Sequence, residues 1–489
     1  MKKLIFYFCL LLSSIISVNA QTPNWQWAKS EGGTSSETST GVCTDASGNV
    51  FITGLFFSRT ITFGTTTLTN AGSMDIFIVK YDATGNVLWA KSAGGVYGER
   101  GQSVCTDASG NVFITGHFYS PTITVGTITL TNTNQTIDSI SDIFIVKYDA
   151  SGNVLWAKSE GGGSDERGQS VCTDASGNVF ITGSFYSYNL TIGTTTLTKD
   201  EWDRYNDIFI VKYDTSGNVL WAKSAGGVGY DEGYAVCTDS TGNLFVTGRF
   251  NSPTITFGTT SLKCTNSFTD IFIVKYDTSG NVLWAKSAGS TGGHGLSTGV
   301  CTDASGNVFI TGGFAGSIIS FGTTTLKCSG SFGDIFIVKY DTSGNVLWAK
   351  SAGGYGYDLS YGVCTDASGN VIITGGFGSP TISFGTDMLT NTNNRVNSMD
   401  IFIAKLGGIT GINDIRNSNI KIYPNPTNNI FNIEGLTKNE NNTIQIFDVQ
   451  GKLVITKTIN EKGMIDLSEL NKGVYVIKIG DVVQRIVKM

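Results

Sequence analysis

Short apolar runs alternate along this chain with glycine-rich turns, and the runs are apolar on both faces. In Ile143-Phe144-Ile145-Val146, successive side chains point to opposite sides of a strand, yet all four are apolar. Strands of this kind belong in sheets covered on both sides. The runs return in a fixed order. An Asp-Ile-Phe-Ile core begins at Asp75, Asp142, Asp207, Asp270, Asp334 and Asp400, and it alternates with a Cys-Thr-Asp block beginning at Cys43, Cys105, Cys172, Cys237, Cys301 and Cys364. The cysteine spacings run from 62 to 67 residues. A period of this size means one supersecondary unit in six copies.

The second copy shows the unit. Strands are predicted over Ser103 to Asp107, Val112 to Phe118, Ile143 to Tyr148 and Val154 to Lys158. The turns Ala108-Ser109-Gly110-Asn111 and Asp149-Ala150-Ser151-Gly152-Asn153 carry Gly for positive φ and Asp to bond nearby amides. The Thr-rich segment Thr122 to Gly126 is compatible with an extra hairpin. Six such sheets, buried on both faces, fit the radial stacking of a six-bladed β-propeller in an all-β protein. A solenoid is the alternative, but it would need caps that the sequence does not offer. The sixth unit stops at Leu406 without a Trp-Ala-Lys strand, and that strand stands instead at Trp27-Ala28-Lys29-Ser30. An N-terminal strand closing the last blade is therefore expected. In this arrangement both Asp-x-Ser/Thr-Gly-Asn turns of a blade lie at one end. The variable loops lie at the other, where binding residues are to be sought.

Composition agrees with this reading. Gly supplies 62 of 489 residues, charged residues only 15%, and Pro six. These are marks of many strands and tight turns. A net charge of −6 without a basic run argues against nucleic acid. Lys2, Lys3 and the apolar run Leu4 to Val18 read as an export signal, with cleavage between Ala20 and Gln21. No later run is long enough to cross a membrane as a helix. Of the eight later cysteines, six occupy one repeat position. Stacked sheets lie about 10 Å apart, whereas a disulfide needs Cα atoms within about 7 Å. Buried thiols are expected there, and the same objection weighs against a Cys264–Cys328 bridge.

A residue copied into every blade suits a scaffold better than a catalyst. The tryptophans Trp27, Trp89, Trp156, Trp221, Trp284 and Trp348 are read as packing between blades, and the turn aspartates as caps. Six residues before each Cys stand Glu37, Glu99, Glu166, Asp231, Gly295 and Asp358. The five acids among them form either a ring on the variable end, able to meet a hydroxylated ligand or cation, or caps for their own loops. Trp202, Arg204 and Tyr205 sit in an expanded loop of the third blade, where Trp202 and Tyr205 could stack on a sugar or pack on their own blade. His117 and His294 lack metal-ligand spacing, and no nucleophile motif occurs. No catalytic residue, metal or cofactor is assigned.

From Asp414 to Met489 the pattern changes to short alternating strands, predicting a small Ig-like β-sandwich after a linker over 407–413. Ile422-Tyr423-Pro424-Asn425-Pro426, Ile446 to Lys452, Leu467 and Lys472 to Val476 resemble the C-terminal sorting domain of type IX secretion cargo. That resemblance implies Sec export to the periplasm, passage across the outer membrane, and removal of the tail on release or surface attachment. The repeat blocks over Trp25 to Leu406 resemble the bacterial SBBP propeller repeat, a family from which no functional residue carries over. The expectation is a secreted or cell-surface module that binds an extracellular polysaccharide or protein without catalysis. A hydrolase or lyase using carboxylates of the variable end, and a purely structural surface protein, are the alternatives.

Overall fold

A computed structural model describes residues 27–489 apart from 137, 201, 266–267, 331, 367, 392–398, 408–420, 437–441, 449–451, 460–462 and 480–481. The expected cleavage point at Ala20 and Gln21 and almost all of the expected linker lie outside the described residues. Every regular element among the described residues is a strand. The chain forms two compact units, one of residues up to 365 with 372–404, the other of 366–371 with 405–489.

In the first unit the second sheet is typical. Its strands Glu99–Thr106, Val112–Phe118, Asp142–Tyr148 and Val154–Glu160 lie in that spatial order, antiparallel throughout. Among the described residues, five such four-stranded sheets are followed by a sixth of three strands. The first strand is longer than predicted because a bulge between Gly101 and Ser103 lets Glu99 to Gly101 pair with Gly116 to Phe118. Nothing apolar in Glu99-Arg100-Gly101 announces that extension. In the third strand, Asp142–Tyr148, all seven residues are buried, as a strand covered on both faces requires.

First strands pack in series along an inner edge, where threonine hydroxyls join sheet to sheet. Thr106, Thr173, Thr238, Thr302 and Thr365 each donate to the carbonyl of the matching threonine in the preceding sheet, at 2.9–3.0 Å. Toward the outer edge the sheets diverge, and the Thr-rich segment fills the gap as a hairpin, Thr122–Val125 with Ile128–Thr131. Its Ile123, Val125 and Leu130 join Ile76 and Ile78 of the preceding sheet and Phe144 and Val146 of its own in one core.

The uniform turns are clasps between sheets. Asp149 Oδ1 accepts from the amides of Ser151 and Asn153 at 2.9 and 2.8 Å, and Oδ2 from Asn153 Nδ2 at 2.9 Å. Trp89 of the preceding sheet lies under this turn and donates Nε1 to Ala150 O at 3.2 Å. Gly152 has φ +82°, and a Cβ there would sit 2.9 Å from the Trp89 ring, so both conformation and space demand glycine. Lys147 Nζ donates to Thr215 O of the next sheet at 3.0 Å and faces Asp107 of its own at 4.0 Å. The repeated Trp and Asp are thus structural.

The expected pairing of Trp27 to Ser30 with the last sheet is not formed among the described residues. The Trp27 ring nevertheless stacks on Tyr81 at 5.9 Å and donates Nε1 to Ala83 O at 3.1 Å, the place that the preceding sheet's tryptophan takes elsewhere in the array, as Trp89 does against Tyr148 and Ala150. Two apolar faces are left uncovered. Ile401 and Ile403 of the last sheet are 90% and 68% exposed, against 1% and 3% for their counterparts Ile335 and Ile337. On the first sheet Val42 is 67% exposed, against 6% for Val104.

All eight described cysteines remain thiols, but they are not buried as expected: seven are half-buried and Cys364 is exposed. Cys264 and Cys328 direct their Sγ to Phe268 O and Gly330 O, each at 3.2 Å.

In the second unit, Lys421–Tyr423, Ile430–Glu434 and Gly463–Asp466 form one sheet. Leu453–Ile459, Asn442–Phe447, Gly473–Ile479 and Val482–Lys488 form another. They share a core of Phe431, Ile433, Ile446, Ile465, Ile477 and Ile486. Strand Gly463–Asp466 has only four residues, too few to show a hydrophobic period in the sequence.

Candidate functional site

Strand order gives the first unit two unlike ends. One carries the Asp turns, already engaged as clasps. Two shallow cavities near that end, about 450 and 350 Å³, repeat the same lining, with Lys91, Tyr148 and Asn153 in one and Lys286, Tyr340 and Asn345 in the other. Repetition marks them as by-products of stacking. The other end carries the loops between strands two and three and between successive sheets. Exposed aromatic rings gather there, among them Tyr97, Tyr186, Trp202, Tyr205, Tyr230 and Tyr355.

The five acids come to this end, but their carboxylates turn into the loops. Glu99 accepts from Ser120 Oγ at 2.5 Å and from Gly95 N at 3.1 Å. Glu166 accepts from Ser187 N at 3.2 Å and Gly162 N at 2.9 Å. Asp231 takes Ser252 Oγ at 2.5 Å, and Asp358 takes Ser379 Oγ at 2.6 Å and Gly354 N at 3.0 Å. Glu37, only partly buried, takes Ser58 Oγ and Gly33 N. The other four are fully buried. Burial is the main cause that pushes Glu99 and Asp231 up to about 7 and Glu166 up to about 8, and it raises Asp358 as well. This is the capping arrangement; a ligand could reach these groups only after the loop opened. The sequence held a signal for it, because in the fifth unit acid and serine are lost together, as Gly295 and Gly316.

The expanded loop stands out. Trp202 is 83% exposed, and its amide donates to Asp200 Oδ1 at 2.9 Å. Tyr205 packs on Tyr230 of the next loop with centroids 4.5 Å apart. Below them Lys199 is buried against Asp203 at 3.7 Å and lies 4.9 Å from the Tyr186 ring. The loop is anchored from within while Trp202 faces outward.

This loop connects to a charged network on the inner edge. Asn206 Nδ2 donates to Glu232 Oε1 at 3.2 Å. Glu232 Oε2 in turn accepts from Arg249 Nε at 2.8 Å and from Tyr234 OH. One sheet earlier, Arg167 Nη2 donates to Asp165 Oδ2 at 3.0 Å, and Asp165 Oδ1 accepts from Ser141 N and Oγ at 3.0 Å. Sequence reading missed these residues, although the aligned repeats mark them. Thr38, Arg100, Arg167, Glu232, Leu296 and Leu359 hold one repeat position, and Leu55, His117, Ser184, Arg249, Gly313 and Gly376 hold its cross-strand partner. Few strand positions in the unit vary so widely. Among the described residues no group of three or more His, Cys, Asp or Glu could hold a metal ion, and no helix is long and apolar enough to cross a membrane.

Comparison with known proteins identifies the end of the chain most clearly. Residues 421–489 match the secretion system C-terminal sorting domain, which indicates export by type IX secretion to the cell surface. The repeats are similar to a WD repeat-containing protein of Acanthamoeba polyphaga mimivirus, 25% identical over 471 residues, covering 78% of this chain and 33% of that protein. A shorter match, 30% identical over 118 residues, joins 24% of this chain to 12% of the regulatory protein FlaEY of Caulobacter vibrioides. The chain thus spans a third or less of either relative. Among solved structures, the polysaccharide lyase Uly1 is 10% identical with a TM-score of 0.33, covering 92% of this chain and 95% of that one. A likeness of that size says nothing about activity.

Proposed function

We propose that the first unit is a six-bladed propeller of the SBBP type that acts at the cell surface as a non-enzymatic binding or adhesion module for extracellular polysaccharide. The observation that carries this reading is the outward Trp202 beside the Tyr205–Tyr230 pair on a loop anchored from below. Flat apolar rings with polar rims suit the faces of sugars. They sit at the end left free by the clasps, and the sorting tail supplies the address. The test is a glycan array with the mature first unit, followed by titration of hits. Trp202→Ala is expected to weaken a hit about tenfold without changing the melting temperature; equal binding would remove the aromatic loop from the site. Product release from a bound glycan would favour the hydrolase or lyase alternative.

In this reading the two uncovered faces cover each other. Ile401 and Ile403 match in kind the isoleucines that every earlier sheet presents to its successor, and Val42 matches the valines that receive them. Ile403→Arg is then expected to cost about 2 kcal/mol or more by burying an unpaired charge. In an open stack it would be neutral, so an unchanged denaturation midpoint would refute closure.

A further inference from the structure

We infer that the inner edge of the variable-loop end binds a carboxylate-bearing sugar, with Arg100 and Arg167 as its anion contacts and His117 between them. This rests on the reading of that end as a glycan-binding surface and deepens it.

Position comes first. Arg100 and His117 are cross-strand partners in the second sheet. Arg167 follows on the first strand of the third sheet, whose inner edge is tied to the second by Gln102 Nε2 donating to Gln169 Oε1 at 3.3 Å. In the fifth and sixth sheets the same stacking relation is direct, since a Cβ at Gly313 would lie 2.7 Å from Leu359 Cδ1. Arg167 and His117 hold the places of that Leu and Gly three sheets earlier. His117 therefore lies between two guanidinium groups. Burial first, then Arg167 and Arg100, press it down to about 3, so it is neutral at physiological pH.

Unmet bonding capacity comes second. His117 is 3% exposed, yet its Nδ1 has no hydrogen-bond partner, and neither has the buried Nε of Arg167. The exposed guanidinium of Arg100 makes no ion pair or hydrogen bond among the described residues. Arg249 differs, being held by Glu232. The network of Arg100, Arg167 and Arg249 with Asp165 and Glu232 thus carries one positive charge in excess, centred on the unpaired Arg100. A buried orphan guanidinium N–H and a buried orphan imidazole nitrogen next to an uncompensated guanidinium are costly unless something fills them.

Ligand chemistry comes third. A planar guanidinium matches a carboxylate through two parallel bonds. The aromatic loop reaches this network through Asn206 and Glu232, so ring-stacking and anion-binding groups form one strip across three sheets. A polymer combining sugar faces with carboxylates fits both parts.

The experiment compares tetragalacturonate with its methyl ester, which differs only in charge, by calorimetry on the intact mature chain. The acid form is expected to bind at least tenfold tighter, with affinity falling as salt rises. Arg100→Gln should remove that preference, whereas Arg59→Gln, an exposed arginine of the first sheet, should leave it intact. Arg100 is exposed, so its variant should fold; an unchanged circular dichroism melt checks this. Equal binding of acid and ester would overturn the anion site while leaving the glycan-binding reading in place. Binding of neither, with no hit on the glycan array, would sink both. Polyglutamate binding as tightly as tetragalacturonate would overturn the sugar assignment.

Discussion

Gly183→Ala is expected to cost more than about 4 kcal/mol and to leave little soluble protein, the range reserved for changes that force the backbone apart. Gly183 lies in the second strand of the third sheet, paired on both sides. A Cβ there would stand 1.9 Å from Arg167 O and 2.8 Å from the Phe209 ring. The bulge that carries Gly168 past Ser170 brings that carbonyl over the glycine, and neither neighbouring strand can retreat without breaking its own ladder. Gly163→Ala is the control, since nothing lies within 4 Å of its Cβ position. It should change stability by no more than about 0.5 kcal/mol. Urea denaturation of the two variants beside the parent decides the matter, and a Gly183→Ala protein as stable as Gly163→Ala would refute the account.

Glu166→Ala should cost about 2–5 kcal/mol, because it strands the amides of Ser187 and Gly162 and the Ser187 hydroxyl in a buried loop. Glu166→Gln keeps the shape and an acceptor, so it should cost about 1 kcal/mol. The two also differ with pH. The folded Glu166 carboxyl is pushed up to about 8 from an ordinary 4.5, chiefly by burial. The folded state therefore holds the proton more tightly than the unfolded one. Its contribution is fully present below about pH 4.5 and is lost as pH rises through about 8. Glu99 and Asp231, both raised to about 7, act in the same direction. Thermal midpoints should fall from pH 5 to pH 9, and the fall should be smaller in Glu166→Gln, whose amide does not titrate. A midpoint that rises over this range would contradict the buried, protonated latch.

Much of this was legible beforehand, because repetition acts as an internal alignment. Six copies of Asp-Ile-Phe-Ile announced strands buried on both sides, and the turn pattern announced their connections. What stayed hidden depends on contacts between units. The first strand's extension over Glu99 to Gly101 follows from a bulge, which has no hydrophobic period. The sequence was compatible with a hairpin at Thr122–Val125 and Ile128–Thr131, but the inter-sheet core it completes depends on contacts between units. The acids were found by position, but whether they faced solvent or loop turned on a serine 21 residues away. The arginine and histidine cluster was passed over because each residue, taken singly, looks like ordinary strand surface. Only reading down the repeats, where neighbouring columns scarcely change, sets Arg100, His117 and Arg167 apart.

The column of cysteines along the inner strands bears on how the molecule survives its journey. Burial, with lesser help from neighbouring sulfurs and aspartates, lifts Cys43 to about 12 and Cys105, Cys172 and Cys237 well above the usual thiol range. Exchange begins with a thiolate, and almost none exists here at any pH a cell provides. Once folded, Cys105, Cys172 and Cys237 are poor partners for oxidants and foldases, while Cys364 at the end of the column is exposed. The inner three thiols therefore resist scrambled crosslinks, although the column carries enough sulfur to have made several.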